Sequence, residues 1–289
     1  MPTTRWVYVN GQFQAESSAT ISVFDRGFLF ADAVYEVNAV VDGLLLDNAA
    51  HLARLQRSLS ELSIPLPLNL DDLVALQEET VQRNQLREGL LYLQISRGVA
   101  DRDFALPRNL KPSVVLFTQS KNLLKNPVVE RGLSVITVDD IRWQRCDIKT
   151  VALLAASMAK QQALDQGADD AWFVRNGEVL EGTSNNVFII NQAGDLITRP
   201  LGNDILHGTT RAALVQLTEQ HQLNVQERPF SLEEVYQARE AFISSAGTFA
   251  LPVVQVNNRL IGHGKVGEIS LKMRELYLNK ALAEARRNA

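Results

Sequence analysis

Five two-residue turn signals, spread along the whole chain, constrain the fold more than any other feature of the sequence. They are Asn10-Gly11, Asp42-Gly43, Asn176-Gly177, Gly194-Asp195 and Asn257-Asn258, and each is flanked by β-branched or otherwise apolar runs. Residues that tolerate positive φ at both turn positions are the strongest short-range signal of a β-hairpin. The sequence therefore predicts antiparallel sheet and not a parallel, doubly wound sheet.

Helical patterns lie between these turns. In the first of them, the apolar residues Leu52, Leu55, Leu59 and Leu62 fall on one face. The predicted helices cover residues 51–62, 71–84, 150–166, 209–220, 231–238 and 265–287. Hairpins and helices of this kind in one chain predict the α+β class.

A polar, proline-containing stretch after residue 120 divides the chain. At 289 residues the chain is longer than one typical domain, so one large or two medium domains are expected. We interpret residues 121–131 as the interdomain linker. The prediction is a small N-terminal α+β domain over 1–120 and a large C-terminal α+β domain over 132–289.

Charge and composition exclude several classes of partner. The net charge is −4 with both signs interspersed, which argues against nucleic acid or an anionic membrane as a partner. No apolar run approaches the ~20 residues of a membrane span, and the first ten residues do not resemble a signal peptide. Cys146 is the single cysteine, so no intrachain disulfide is expected. We expect a cytoplasmic protein in which Cys146 is a small buried hydrophobe, not a nucleophile.

Two residues have the setting that pyridoxal-phosphate chemistry requires. Lys149 follows Cys146 and Ile148 and precedes Val151, so its amine is predicted to be partly desolvated, as a Schiff-base lysine must be. Glu181 ends a strand-like run and opens the small-residue loop 182–186. A carboxylate there would keep a proton on the pyridine nitrogen and make the ring an electron sink.

Two small-residue turns are candidate phosphate sites. Thr209 and Thr210 follow Gly208 and open a helical pattern, so hydroxyls and free N–H groups meet at a helix N-terminus. The same residues also suit an ordinary N-cap. A second turn, 244–248, follows an apolar strand and is another possible nest of N–H groups. The four histidines are scattered without metal-site spacing, so no metal is predicted.

The chain resembles the fold-type IV pyridoxal-phosphate enzymes, the family of D-amino acid and branched-chain aminotransferases, over nearly its whole length. Residues 25–37, Asp-Arg-Gly-Phe-Leu-Phe-Ala-Asp-Ala-Val-Tyr-Glu-Val, resemble the early strand motif of bacterial D-amino acid aminotransferases. Residues 145–149, Arg-Cys-Asp-Ile-Lys, match the lysine segment of the D-type enzymes. Branched-chain enzymes carry a Phe-Glu-Gly type sequence at 35–37, where this chain has Tyr-Glu-Val.

The resemblance implies a two-domain fold-type IV architecture, a pyridoxal 5′-phosphate cofactor and a homodimer. Lys149 would form the Schiff base and move the proton, and Glu181 would pair with the pyridinium nitrogen. Leu206 would pack on the ring. The phosphate ligands would be Arg54, Thr209 and Thr210, joined by Ser245 or by the backbone at Ala246, where the family often has threonine.

The resemblance also places four residues at the substrate. Tyr35 would lie near the substrate, and Val37 would line its pocket. In the D-type enzymes an arginine and a histidine two residues later reach the substrate carboxylate from the partner subunit. This chain has Arg102 at the first of these positions and Phe104 at the second. An aromatic ring donates no hydrogen bond to a carboxylate, so the carboxylate would depend on Arg102 and Tyr35.

The function so predicted is transamination between a D-amino acid and a 2-oxo acid such as 2-oxoglutarate or pyruvate, by a ping-pong route through a pyridoxamine form. Three alternatives keep the cofactor and change the substrate: a branched-chain L-aminotransferase, an (R)-amine transaminase and an aminodeoxychorismate lyase. A fourth is a non-catalytic homologue, against which the intact Lys149 and Glu181 argue.

Overall fold

The computed structural model describes residues 4–221 and 223–288, which form two compact units. The first unit contains the residues up to Leu123, the short segment Ile148–Ala152 and the residues from Leu282 on. The second unit contains Leu124–Asp147 and Leu153–Ala281. Lys149 therefore belongs to the first unit, although its neighbours in sequence on both sides belong to the second.

The first unit is built on a six-stranded sheet with the order β2-β1-β6-β5-β3-β4, whose pairings are antiparallel. Its strands are β1 (Trp6–Val9), β2 (Gln12–Ala15), β3 (Ala33–Val41), β4 (Leu44–Leu45), β5 (Glu88–Ser96) and β6 (Ser113–Ser120). Its helices are α1 (Arg26–Phe30), α2 (Asn48–Glu61) and α3 (Leu70–Arg83).

The core of this unit forms where α2 and α3 cover the sheet. Leu55 and Leu59 of α2 and Leu73 of α3 are buried in one cluster with Leu93 and Ile95 of β5. The apolar stripe predicted for α2 is the face that packs inward, because residues three and four apart share one side of a helix.

The segment Ile148–Ala152 is held against the start of β3. The Tyr35 N–H donates to the Lys149 carbonyl at 3.0 Å, and the Val151 N–H donates to the Ala33 carbonyl at 3.2 Å. Ile148 is buried in the same core cluster as Leu55. These contacts fix the Lys149 backbone beside Tyr35.

The second unit is built on a nine-stranded mixed sheet with the order β12-β11-β10-β13-β14-β7-β8-β9, and β15 pairs with β14. Its strands are β7 (Leu133–Asp139), β8 (Asp170–Arg175), β9 (Glu178–Gly182), β10 (Asn186–Ile190), β11 (Leu196–Thr198), β12 (Val225–Glu227), β13 (Glu240–Ser245), β14 (Phe249–Val256) and β15 (Arg259–Leu260). The helices are α4 (Val128–Arg131), α5 (Leu154–Asp165), α6 (Thr209–Gln220), α7 (Leu232–Gln237) and α8 (Glu268–Asn288), of which α8 belongs to this unit up to Ala281.

The predicted α+β class is confirmed, and all five turn signals lie between antiparallel strands. The predicted antiparallel sheet accounts for the whole first unit, whereas the sheet of the second unit also contains parallel pairs. There β7 pairs in parallel with β8 and with β14, and β11 pairs in parallel with β12. Turn residues specify neighbouring strands, whereas these parallel pairings join strands that are distant in sequence.

The helix predictions are confirmed except at the lysine. The helix expected from residue 150 begins at Leu154, because Thr150 forms a β-bridge with Val34 of β3 and the Val151 N–H donates to the Ala33 carbonyl. α1 was not predicted from sequence, and its N-cap is Asp25, whose Oδ1 accepts from the Gly27 N–H at 2.8 Å. Helix α4 lies within the predicted linker 121–131. Among the described residues, no helix combines the length and the apolar character that a membrane crossing needs.

We expect Leu55→Ala to lower the free energy of unfolding by ~2–5 kcal/mol, because it leaves a cavity in the core of the first unit. The next residue, Gln56, is exposed on the same helix, so Gln56→Ala is the matched control and should have little effect. Urea denaturation measures both. Equal effects of the two substitutions would contradict the assignment of Leu55 to the core.

Candidate active site

The Lys149 amine lies over an aromatic ladder in the first unit. Its Nζ is 4.2 Å from the centre of the Tyr35 ring, which is within cation–π range. Tyr35 stacks on Tyr92 at 5.5 Å, and Tyr92 stacks on Phe117 at 4.6 Å. The stacked rings hold Tyr35 in place beneath the amine.

The register of the sheet puts a second predicted residue on the same face. Val37 lies two residues after Tyr35 on β3 and pairs with Tyr92 across the sheet. Residues two apart on a strand, and residues directly paired, point to one face. The Tyr92 hydroxyl donates to Gln94 Oε1 at 2.8 Å, and burial raises its pKa, so it stays protonated. Tyr35, Val37 and Tyr92 therefore form one continuous surface.

Glu36 faces the opposite side of β3 and holds Arg54 of α2. Arg54 Nε donates to Glu36 Oε1 at 2.8 Å, and Arg54 Nη2 donates to Oε2 at 2.7 Å. His51 Nδ1 lies 2.7 Å from the same Oε2. Burial works to raise the pKa of Glu36, but Arg54 and His51 outweigh it and lower that pKa to about 2. The carboxylate is therefore ionised and orients the Arg54 guanidinium with a fork of two bonds.

Arg102 and Phe104 lie on an exposed loop of the first unit. The Arg102 guanidinium is 5.5 Å from the Phe30 ring and 5.4 Å from the Phe104 ring. Phe104 is 79% exposed, the largest exposure among the big apolar side chains of the described residues. The structure thus brings together Arg102 and Phe104, the two residues that the sequence placed at the substrate carboxylate. The Phe30 ring is a second aromatic neighbour of the same guanidinium.

Glu181 is buried in the second unit and is surrounded by donors. Arg142 Nη1 donates to Oε1 at 2.5 Å, while Asn186 Nδ2 and the Leu206 N–H donate to Oε2 at 3.2 and 3.0 Å. Arg142 is itself held by Asp140 at 2.8 Å. Burial works to lower the pKa of Arg142, but Asp140 and Glu181 outweigh it and raise that pKa, so the guanidinium stays charged.

A row of polar side chains crosses the second sheet at Glu181. Asn186 of β10 pairs with Glu181 of β9 on one side and with Ser244 of β13 on the other. Paired residues point to one face, so the three side chains share it. Ser245 points to the other face, and its Oγ lies 2.8 Å from Thr248 Oγ1. The structure therefore aligns Ser244, not Ser245, with Glu181, and Ala246 follows in the turn.

Gly208 makes room for this row. A Cβ at Gly208 would lie 2.1 Å from Asn186 Oδ1, far inside contact distance. Asn186 also donates to the Leu206 carbonyl at 3.0 Å, so a displaced Asn186 would release both Glu181 and Leu206. The glycine before α6 is thus required by the close approach of an asparagine.

The donor set of the second unit fits a phosphorylated pyridine. Thr210 and Ser244 have hydroxyls that are buried and lack a hydrogen-bond partner among the described residues, and each side chain is 1% exposed. Buried hydroxyls of this kind ordinarily have a partner. Helix α6 begins at Thr209, so the positive end of its dipole lies at the same place. A buried carboxylate, buried hydroxyls and a helix N-terminus are what the ring nitrogen and the phosphate of pyridoxal phosphate need.

Sequence reasoning missed four residues that support the predicted ones, namely Glu36, His51, Arg142 and Asn186. It placed Ser244 in a turn, whereas the structure puts Ser244 in β13 with its side chain on the face of Glu181. The alternation of side chains along a strand is the signal that separates Ser244 from Ser245. Cys146 lies as predicted: it is buried, and burial raises the pKa of its thiol to about 11. A thiol with that pKa is a poor nucleophile at neutral pH.

Comparison with known proteins gives consistent results. The family model for amino-transferase class IV matches residues 33–256. A D-alanine aminotransferase of Bacillus licheniformis is 37% identical over 280 residues, covering 96% of this chain and 98% of that protein. A branched-chain amino acid aminotransferase of Escherichia coli has a TM-score of 0.89 at 20% identity, over 96% of this chain and 95% of that chain. A branched-chain aminotransferase of Thermoproteus uzoniensis, solved with norvaline, has a TM-score of 0.84 at 26% identity, over 98% and 97%.

We expect Glu36→Gln to lower the free energy of unfolding by on the order of 3 kcal/mol near neutral pH, because it leaves Arg54 without its buried counter-charge. The pKa of Glu36 is lowered in the folded protein, so its stabilisation is present above the ordinary value of 4.5 and is lost as the pH falls through about 2. The difference between the native protein and the variant should therefore shrink with acidification. Urea unfolding at a series of pH values measures it.

The matched control is Glu61→Gln, which neutralises an exposed carboxylate at the end of α2, the helix that carries Arg54. Its effect should stay below ~1 kcal/mol at every pH. A stability difference for Glu36→Gln that does not change between about pH 7 and pH 3 would show that the ion pair is not its cause.

Proposed function

Because this chain belongs to the class IV aminotransferases, we propose that it transfers an amino group between a D-amino acid and a 2-oxo acid such as pyruvate or 2-oxoglutarate. The observation that carries the proposal is the Lys149 amine over the Tyr35 ring, with Val37 on the same face of β3. The relatives named D-alanine aminotransferase support the D-amino acid as substrate.

Pyridoxal 5′-phosphate is the cofactor, and its protonated ring supplies an electron sink for the negative charge that develops at the substrate Cα. Lys149 Nζ would hold the aldehyde carbon covalently. Once the substrate amine has displaced it, Nζ would take the proton from Cα and return it to the former aldehyde carbon. The Tyr35 ring stabilises the positive charge of Nζ after it has taken the proton.

Glu181 would hold the proton on the pyridine nitrogen. Its position is set by Arg142, Asn186 and the Leu206 N–H, so it needs little reorganisation when charge develops on the ring. Leu206 would pack against the ring face. Because Arg142 is held in turn by Asp140, the charges around Glu181 form a fixed chain.

The phosphate ligands that we propose combine a guanidinium with hydroxyls and backbone N–H groups. Arg54 is oriented by Glu36, and Thr209 and Thr210 open helix α6. The Ser244 hydroxyl is a further donor, while Ser245 and Ala246 would contribute through the backbone of their turn. A dianion suits such a set because N–H groups at a helix N-terminus and a guanidinium both favour negative charge.

At the substrate, Tyr35 and Val37 would line the pocket and Arg102 would bind the carboxylate. Phe104 offers no donor in place of the histidine of the D-type enzymes. This favours one second candidate function, the transamination of (R)-amines that lack a carboxylate. The branched-chain L-aminotransferase remains an alternative, since structural neighbours carry that name at 20–26% identity.

We expect D-alanine and D-glutamate to bleach the visible absorption band of the holoenzyme and L-leucine to leave it unchanged. The test is a half-reaction panel with these three substrates and (R)-1-phenylethylamine, read by absorbance. Bleaching by L-leucine alone would make the branched-chain alternative correct. Bleaching by the amine alone would favour the second candidate function.

Lys149→Ala separates the role of the lysine from the fold. The variant should lose transamination and the borohydride-trapped pyridoxyl label on the 149 peptide, while its circular dichroism is unchanged. Lys125→Ala, which removes an exposed lysine, is the matched control and should keep both. A pyridoxyl label on another peptide of the native enzyme would refute the proposed role of Lys149.

We propose a cytoplasmic homodimer. The first unit exposes several large apolar side chains on the segment before and within α1 and on the loop after β5, among them Ile21, Val23, Phe28 and Leu106. Exposed apolar side chains clustered on neighbouring segments are typical of a protein interface. Homo-oligomers most often form by a two-fold repeat of one such surface.

Sedimentation equilibrium should therefore give twice the chain mass of 32.1 kDa. Phe28→Glu should shift the equilibrium toward the monomer, because it would bury a charge in the interface. Gln56→Glu, a charge placed on an exposed face of α2, is the control and should not change the mass. A native mass equal to one chain would contradict the dimer.

A further inference from the structure

Two aromatic rings flank the Arg102 guanidinium on the exposed loop after β5. Its central carbon is 5.5 Å from the centre of the Phe30 ring and 5.4 Å from the centre of the Phe104 ring. The rings themselves meet edge to face, with centres 5.7 Å apart and planes at 65°. Both distances lie within the ~6 Å over which a ring face attracts a cation.

The Phe30 ring is held by a second cation. Phe30 is the last residue of α1, and the Arg26 guanidinium lies 4.5 Å from its ring. Arg26 Nη1 also donates to the Asp103 carbonyl at 2.8 Å, which ties the backbone between Arg102 and Phe104 to α1. Arg26 therefore fixes both the Phe30 ring and the loop that carries Phe104.

A largely buried carboxylate, whose side chain is 9% exposed, anchors this arrangement. Asp32 Oδ2 accepts from Arg26 Nε at 2.8 Å and from Arg97 Nε at 2.7 Å, and Asp32 Oδ1 accepts from Arg97 Nη2 at 3.0 Å. Arg26 and Arg97 are both buried. Asp32 thus links Arg26 of α1 to Arg97, the first residue after β5. Because this ion pair holds both arginines in place, the loop after β5 starts from a rigid base.

We propose that Phe30 and Phe104 are positioning residues that hold the Arg102 guanidinium for the substrate carboxylate. The inference rests on the proposed function and deepens it. Phe104 acts through Arg102 by its ring face and does not contact the carboxylate as a donor. A free arginine loses much rotamer freedom when it binds a carboxylate with two nitrogens, and a guanidinium already held against two ring faces loses less.

A positioning role of Phe30 and Phe104 predicts a specific change in the kinetic constants. The ring contacts act on carboxylate binding, so their loss should raise KM for D-alanine and change kcat little. A substrate without a carboxylate, (R)-1-phenylethylamine, should be unaffected. A ring with a merely structural role would instead alter both substrates to the same degree.

The experiment measures steady-state kinetics of the holoenzyme for Phe104→Leu, Phe30→Leu and Arg102→Ala. Each leucine variant should raise KM for D-alanine roughly two- to fivefold, the range expected for one exposed cation–π contact. Phe24→Leu, which removes an exposed ring from the segment before α1, is the matched control and should leave KM unchanged. Melting temperatures confirm that each variant is folded.

A double-mutant cycle decides whether the rings act through the arginine. In the Arg102→Ala background, Phe104→Leu should add no further increase in KM. The same increase in KM in both backgrounds, or equal increases in KM for D-alanine and for the amine, would overturn the proposed positioning role of the rings. If Arg102→Ala itself leaves KM for D-alanine unchanged, the carboxylate role of Arg102 in the proposed function fails, and this outcome differs from a failure of the rings alone.

Discussion

The attachment of Ile148–Ala152 to the start of β3 is the constraint on which the rest of the first unit's chemistry depends. Two backbone hydrogen bonds, from Tyr35 to Lys149 and from Val151 to Ala33, place the lysine beside the tyrosine. The buried Ile148 anchors the same segment in the core. A lysine on a free loop would sample many positions, whereas this one has its Cα fixed and its amine over a ring. The orientation of the Lys149 amine is therefore a consequence of hydrogen bonding between this segment and β3.

Each unit contains a buried arginine–carboxylate pair that the proposed function uses, and the two pairs would serve opposite purposes. In the first unit Glu36 holds Arg54, so the cation would be the group presented to the ligand and the carboxylate its support. In the second unit Arg142 holds Glu181, so the carboxylate would be the group presented and the cation its support. The pairing lowers the pKa of Glu36 and raises that of Arg142, which keeps both groups charged despite their burial. A buried pair of this kind adds little net stability, so its use lies in fixing charge and direction.

The sequence predicted those parts of the fold that local chemistry specifies. Asn10 and Gly11 both have positive φ in their turn, and the same holds for Asp42 and Gly43, which is why such dipeptides identify hairpins. The start of α5 was not predictable in this way. Val151 and its neighbours have helical composition, but an extended pairing with β3 that is distant in sequence takes precedence. The parallel pairings of β7 are long-range in the same sense.

The residues of the candidate site divide in the same way, into those that the local sequence indicates and those that depend on long-range pairing. Lys149 and Glu181 stand on short segments whose neighbours indicate their environment. Arg142 reaches Glu181 from the loop after β7. Ser244 is brought to Glu181 by strand register, because Asn186 pairs with both, and no window of sequence contains that information.

The exchange of a histidine for Phe104 changes how a carboxylate would be bound in this chain. A histidine adds a second donor, so two groups share the negative charge and each tolerates some misplacement of the other. A phenyl ring adds no donor, and the guanidinium of Arg102 is then the only cation of that loop segment held by rings. Binding by one cation depends steeply on its direction, because a bidentate contact requires the planes of guanidinium and carboxylate to align. Loss of the donor therefore increases the need for a rigid support. The Phe30 ring, held by Arg26 and through it by Asp32, provides such a support at the point where the loop would otherwise be free to move.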